Sequence, residues 1–168
     1  MEKKLYHYMT TGFFFTVLLG SFLYFAYEIS SKNLLVGMFA PVSNSPWEYL
    51  KLIFFPSFLY FMCGWGYFAR TLHTFIQACF SGLITGTFFF LIMFFTYTGI
   101  IGQSVFVLNL FAFLFSAYLV YYLSYNFIIL HYDVIPLPLL VCLIVTLMVC
   151  FFSFSFSPPE LPLFSIIN

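Results

Sequence analysis

A chain built from apolar runs, each about 20 residues long and separated by short polar connections, has few ways to fold. A run of that length is what a helix needs to cross the hydrocarbon core of a bilayer. Five such runs occur here, at approximately 8–27, 46–68, 74–97, 105–125 and 136–156. Composition points the same way: 64% of residues are hydrophobic and 6% are charged, where soluble domains carry about a quarter. Mean hydropathy is +1.08. The expected fold is all-α, a polytopic integral membrane helix bundle, as one domain over residues 1–168. It should have about five transmembrane helices, with an interfacial or re-entrant segment before the second. The 28 phenylalanines read as compositional bias, since lipid accepts Phe, Leu and Ile alike.

Several function classes drop out. A net charge of zero argues against nucleic acid, which needs clustered Lys and Arg to displace counterions. No basic cluster marks a membrane edge for strong anionic-lipid recognition. Phosphate-binding glycine loops are missing, Arg70 is the only arginine, and no GxSxG elbow occurs. Cys63, Cys79, Cys142 and Cys150 form no CxxC pair, so inert buried thiols are expected. No cofactor is expected.

Lys3 and Lys4 before an apolar run resemble the start of a signal peptide, but the run is long enough to span and no small-x-small cleavage site follows. Thr16, Gly20, Tyr24 and Glu28 recur every four residues, a small and polar stripe suited to facing other helices. Residues 29–44 have loop chemistry around an apolar stretch, Leu34 to Ala40, which can dip into the interface. Ser45-Pro46-Trp47-Glu48 reads as a helix start. Ser45 caps, Pro46 takes the first helical position, and Glu48 reaches back to close a capping box. Trp47 suits the headgroup belt. Glu48 and Lys51 can pair on one helix face, with Lys51 snorkelling outward. Pro56 should kink this helix.

In the third run, Ala78, Gly82 and Gly86 form two small-xxx-small steps, a packing strip for this chain or another membrane protein. In the fourth, Asn109, Ala112 and Ser116 share a face that should point inward. Its end, with Tyr118, Tyr121, Tyr122 and Tyr125, reads as an interfacial belt. Lys3, Lys4 and Arg70 fall on one side and Lys32 and Lys51 on the other, which predicts a cytoplasmic N-terminus in a cell membrane.

Two constellations could carry chemistry. His7, His73, His131 and Asp133 fall at the cytoplasmic edge and are the side-chain types of a zinc site, but none has HExxH or HxxxH spacing. As ordinary interfacial side chains they need no metal. On the outer face lie Glu28, Asn44, Ser45, Glu48, Lys51 and Glu160. Ionisable groups near spans are functional suspects, and with Tyr24, Trp47 and Asn109 they make up the candidate binding set. The structural reading competes directly, because helix capping and a Glu48–Lys51 pair already employ most of them. No catalytic residue stands out.

Through Phe39, Pro41, Val42, Ser45, Trp47, Glu48, Leu50, Lys51, Leu52, Phe54, Phe55 and Pro56 the chain resembles domain-of-unknown-function family 6512, small bacterial membrane proteins. Tyr97-Thr98-Gly99-Ile100, Pro158-Pro159 and Pro162-Leu163-Phe164 extend the likeness over nearly the whole chain. It departs at Ser43-Asn44, where the family pattern has Asn-Glu, and at Tyr49 and Tyr24, where it has His. The resemblance implies a fold and no activity.

Three readings of function remain open. A small-solute or ion transport component would need Glu48 or Lys51 to face a water-filled cavity. A structural or accessory protein would bind partner proteins or lipid. A membrane-embedded enzyme acting on a lipid would need the histidines or the outer carboxylates to converge.

Overall fold

A computed structural model describes residues 2–68, 74–131, 135–159 and 163–164. Its helices are α1 (Glu2–Ile29), α2 (Leu34–Phe39), α3 (Pro46–Phe68), α4 (Phe75–Ile101), α5 (Phe106–Ile129) and α6 (Leu137–Phe156). No strand occurs among the described residues. Helices α1, α4, α5 and α6 are long and apolar enough to cross a membrane. The apolar stretch before the second long run is α2. It opens where the Asn33 side chain accepts from the Leu35 N–H at 2.9 Å. Helix α4 stops at Gly102, whose φ of +83° supplies the left-handed cap a glycine adopts without strain.

Helix α3 has 23 residues but is missing from the apolar four, because Glu48, Lys51, Pro56 and Ser57 dilute its hydropathy. It carries them because it is the central helix, packed on α1, α4, α5 and α6. From Ser45 to Ser57 every residue is buried except the half-buried Tyr49. Lipid never meets this half, so its polarity is a matter between protein groups.

The seam between α1 and α3 is antiparallel. Tyr8 stacks on Tyr60 with ring centroids 4.5 Å apart, and each hydroxyl donates to the other's backbone carbonyl, at 2.6 and 2.9 Å. Deeper in the seam, Thr16 meets Ser57 at 3.1 Å and Tyr121 at 2.7 Å. Tyr121 is therefore a core residue and not part of an interfacial belt. It occupies the α5 face turned towards α1, whereas Tyr118 and Tyr122 are exposed.

Farther along, Gly20 lies against the Leu52 carbonyl, and a Cβ there would sit 2.7 Å from that oxygen. This is the carbonyl deprived of its helical donor, since Pro56 has no N–H. Helix α3 stays helical through Pro56, and α1 approaches it where the glycine permits.

The Ala78, Gly82 and Gly86 strip faces α5 of the same chain. A Cβ on Gly82 would lie 2.8 Å from the Val120 carbonyl oxygen, and one on Gly86 2.8 Å from the Val120 nitrogen. Close backbone approach of this kind is what small-residue strips provide. Ala112 and Ser116 of α5 are buried and Asn109 half-buried, so that face does point into the bundle.

Candidate functional site

At the head of α3 an ion pair is sealed inside the protein. Lys51 Nζ lies 2.8 Å from Glu48 Oε2, with the two side chains 0% and 4% exposed. The ammonium also donates to the Gly37 carbonyl at 3.0 Å, approaches the Ala40 carbonyl at 3.5 Å, and bonds the Ser155 hydroxyl. Gly37 belongs to the last turn of α2 and Ala40 is its C-cap, where carbonyls lack intrahelical donors and a cation is favoured. Glu48 is equally occupied. Its Oε2 accepts from the Val42 N–H at 2.8 Å, and its Oε1 lies 2.9 Å from the Ser155 hydroxyl. That hydroxyl is also 2.6 Å from the Phe151 carbonyl one turn back.

One pair thus ties together α2, the 40–45 connection, the start of α3 and the end of α6. Removing two charges from water is expensive unless every donor and acceptor finds a partner. Here the protein supplies them all.

Two details differ from sequence expectation. Lys51 does not snorkel outward. Helix α2 folds over the start of α3 and puts its carbonyls within reach, so the side chain turns inward. The capping box is half formed: Ser45 Oγ accepts from the Glu48 N–H at 3.4 Å, but the Glu48 carboxylate serves Val42 and Lys51, which lie nearer to its buried side.

Trp47 likewise leaves the expected belt. It is buried under Phe151, Phe154 and Phe164, at centroid distances of 4.9 to 5.8 Å, and its backbone N–H donates to the Leu163 carbonyl at 3.3 Å. The tail covers it. Its indole N–H has no hydrogen-bond partner among the described residues.

The other outer-face candidates divide. Glu28 is exposed at the end of α1 and stands apart from the ion pair; Asn44 is exposed and accepts from the Tyr49 hydroxyl at 3.3 Å. Tyr24 and Tyr49 face each other with centroids 6.2 Å apart. Asn109 accepts from the Tyr97 hydroxyl and donates to Ser104 at 3.0 Å. His7 lies on α1 and His131 just beyond α5, while His73, Asp133 and Glu160 lie outside the described residues. Among the described residues no three His, Cys, Asp or Glu side chains gather as a metal would require.

Tyr24, Tyr49 and Asn109 meet at a separate feature, a half-enclosed cavity of about 120 Å³ between α1, α3, α4 and α5. Gly20, Leu52, Phe90 and Phe113 form its floor, and Ser21, Phe25, Phe106 and Leu110 its rim. The rim residues are exposed, so the mouth opens on the side of the bundle, between α1 and α5. No charged side chain lines it. Ser155 and Tyr121 are the partners that sequence reasoning missed. Hydroxyl side chains within an otherwise apolar span are the signal that could have found them, because such groups bond across helices.

A helical bundle with four helices of membrane-crossing length and apolarity, and with one ion pair sealed at the head of a central helix, defines a small membrane protein. Residues 1–167 match the model of a family of unknown function, DUF6512, and the chain belongs to that family. No curated protein and no solved structure matches it.

Proposed function

We propose that this is a cell-membrane protein that binds a small uncharged, membrane-soluble molecule in the lateral pocket between α1 and α5. It is then an accessory, lipid-binding protein and not a transport component or an enzyme. The observation that carries the reading is where the polarity sits: the ion pair is enclosed and fully partnered, while the accessible cavity is uncharged and opens sideways. A cavity of about 120 Å³ takes one small ring or a chain end, since apolar cavities of about 150 Å³ bind benzene. The rest of the molecule would lie along Phe25 and Phe106 in the bilayer.

The transport reading asked Glu48 or Lys51 to face a water-filled cavity, and both are enclosed. The enzyme reading asked the histidines or the outer carboxylates to converge; Glu48 is committed to Lys51 and Ser155, and His73 and Glu160 lie outside the described residues.

In this proposal α3 is a fifth crossing helix. It runs antiparallel to α1 from Tyr8–Tyr60 through Thr16–Ser57 to Gly20–Leu52, so it covers the depth that α1 covers. Its 23 residues reach about 35 Å against a hydrocarbon core of about 30 Å. Lys3 and Lys4 then lie opposite Lys32, with Lys51 turned inward and out of the count, which favours a cytoplasmic N-terminus.

The test is lipid extraction and mass spectrometry of purified protein beside a Ser21→Trp variant that fills the mouth. A discrete species near one per chain in the natural protein, depleted in a variant of unchanged melting temperature, is the expected result. Identical bulk-lipid profiles for both would overturn it.

A further inference from the structure

The opposite end of the α1–α3 seam carries a second feature, independent of the lateral pocket. Beside the Tyr8–Tyr60 stack lies an open groove of about 500 Å³ between the two helices. One wall presents Lys4, His7 and Thr11 of α1, the other Tyr60, Cys63 and Tyr67 of α3. The α1 positions lie three and four residues apart and so share a helix face.

The groove is graded. Its end near the start of α1 bears a cation at Lys4 and an imidazole at His7, with the Tyr67 phenol opposite. Its inner end, at Thr11 and Tyr60, is uncharged. The Thr11 hydroxyl is already spent on the His7 carbonyl, at 2.8 Å. No acidic side chain is among the described residues lining it. Unlike Lys51, Lys4 is exposed and forms no ion pair among the described residues.

An anionic head at one end of the groove and an alkyl chain at the other would match this gradient, and the volume lies within the range of small-molecule sites. We infer that this groove is a binding site for an anionic phospholipid, its phosphate held by Lys4 and His7 and its first chain segment lying between α1 and α3 towards Tyr60. A phosphate oxygen accepts charge-assisted hydrogen bonds from the ammonium and the ring N–H. Anchoring the head at the membrane edge keeps the lysine's charge in the interface.

Cys63 makes the site readable. It is exposed and lines the groove, Cys142 is exposed on α6, and Cys79 is buried. Purified protein in maltoside micelles is labelled with N-ethylmaleimide, and the rate at each cysteine is read by peptide mass spectrometry. Labelling is repeated with added phosphatidylglycerol, phosphatidylcholine of the same chains, or inorganic phosphate.

The expected result is that phosphatidylglycerol slows Cys63 about tenfold once it exceeds its dissociation constant about tenfold, with Cys142 unchanged. Phosphatidylcholine and free phosphate have little effect. Lys4→Gln, a surface change that the fold tolerates, raises the phosphatidylglycerol requirement about tenfold. Equal protection by phosphatidylcholine, parallel slowing at Cys142, full protection by free phosphate, or protection that survives Lys4→Gln would each overturn the proposal.

Discussion

Helix α3 is two different objects end to end. From Pro46 to Ser57 it is wrapped, and it holds both of its charges there. From Phe58 to Phe68 it alternates between core and surface, with Cys63, Trp65, Gly66 and Tyr67 exposed, and it holds no charge. The contrast teaches where a membrane bundle can keep an ion pair. The wrapped half is surrounded by α2 carbonyls, a backbone N–H and a hydroxyl from α6, enough to replace water completely. The open half offers no such shell. Two glycines sample the contrast. Gly20 lies against the wrapped half because a backbone carbonyl is there, whereas a Cβ on Gly66 would meet nothing within 4 Å.

The largest break in this contrast is expected from Lys51→Met. It strands the Glu48 carboxylate among apolar groups and should cost about 3–5 kcal/mol, read as a drop in thermal or denaturant stability of the detergent-solubilised protein. Ser155→Ala removes one partner from each ion while leaving them paired. It should cost about 2 kcal/mol, and the same assay would show it. Gly20→Ala forces a Cβ to within 2.7 Å of the Leu52 oxygen and should cost about 1–2 kcal/mol. Gly66→Ala, in the open half, meets no neighbour within 4 Å and should raise stability by about 0.5–1 kcal/mol through helix propensity. If the two glycine substitutions behaved alike, the distinction between the halves would fail.

Much of the wrapped half was legible beforehand. The i,i+3 spacing of Glu48 and Lys51 announced their pairing, and Ser45 before Pro46 announced the helix start. What the sequence could not reveal was direction. Whether Lys51 points to headgroups or inward depends on α2 folding above it and on Ser155, which lies 104 residues further along the chain. Trp47 turned from belt to core for the same reason, because the tail at Leu163 and Phe164 covers it. Local spacing names possible partners, whereas long-range packing chooses among them. The lateral pocket was less visible still. Tyr24 and Asn109 were suspected singly, and only the packing of α1 against α5 puts them around one cavity.

Glu48 and Lys51 form a sealed structural tie. A double-mutant cycle tests it most directly, comparing unfolding free energies of the natural protein, Glu48→Gln, Lys51→Met and the double variant. The double variant is expected to be more stable than Lys51→Met alone, with a coupling of about 2 kcal/mol, within the range for residues sharing one network. Single-variant effects that simply add, to within about 0.5 kcal/mol, would contradict it.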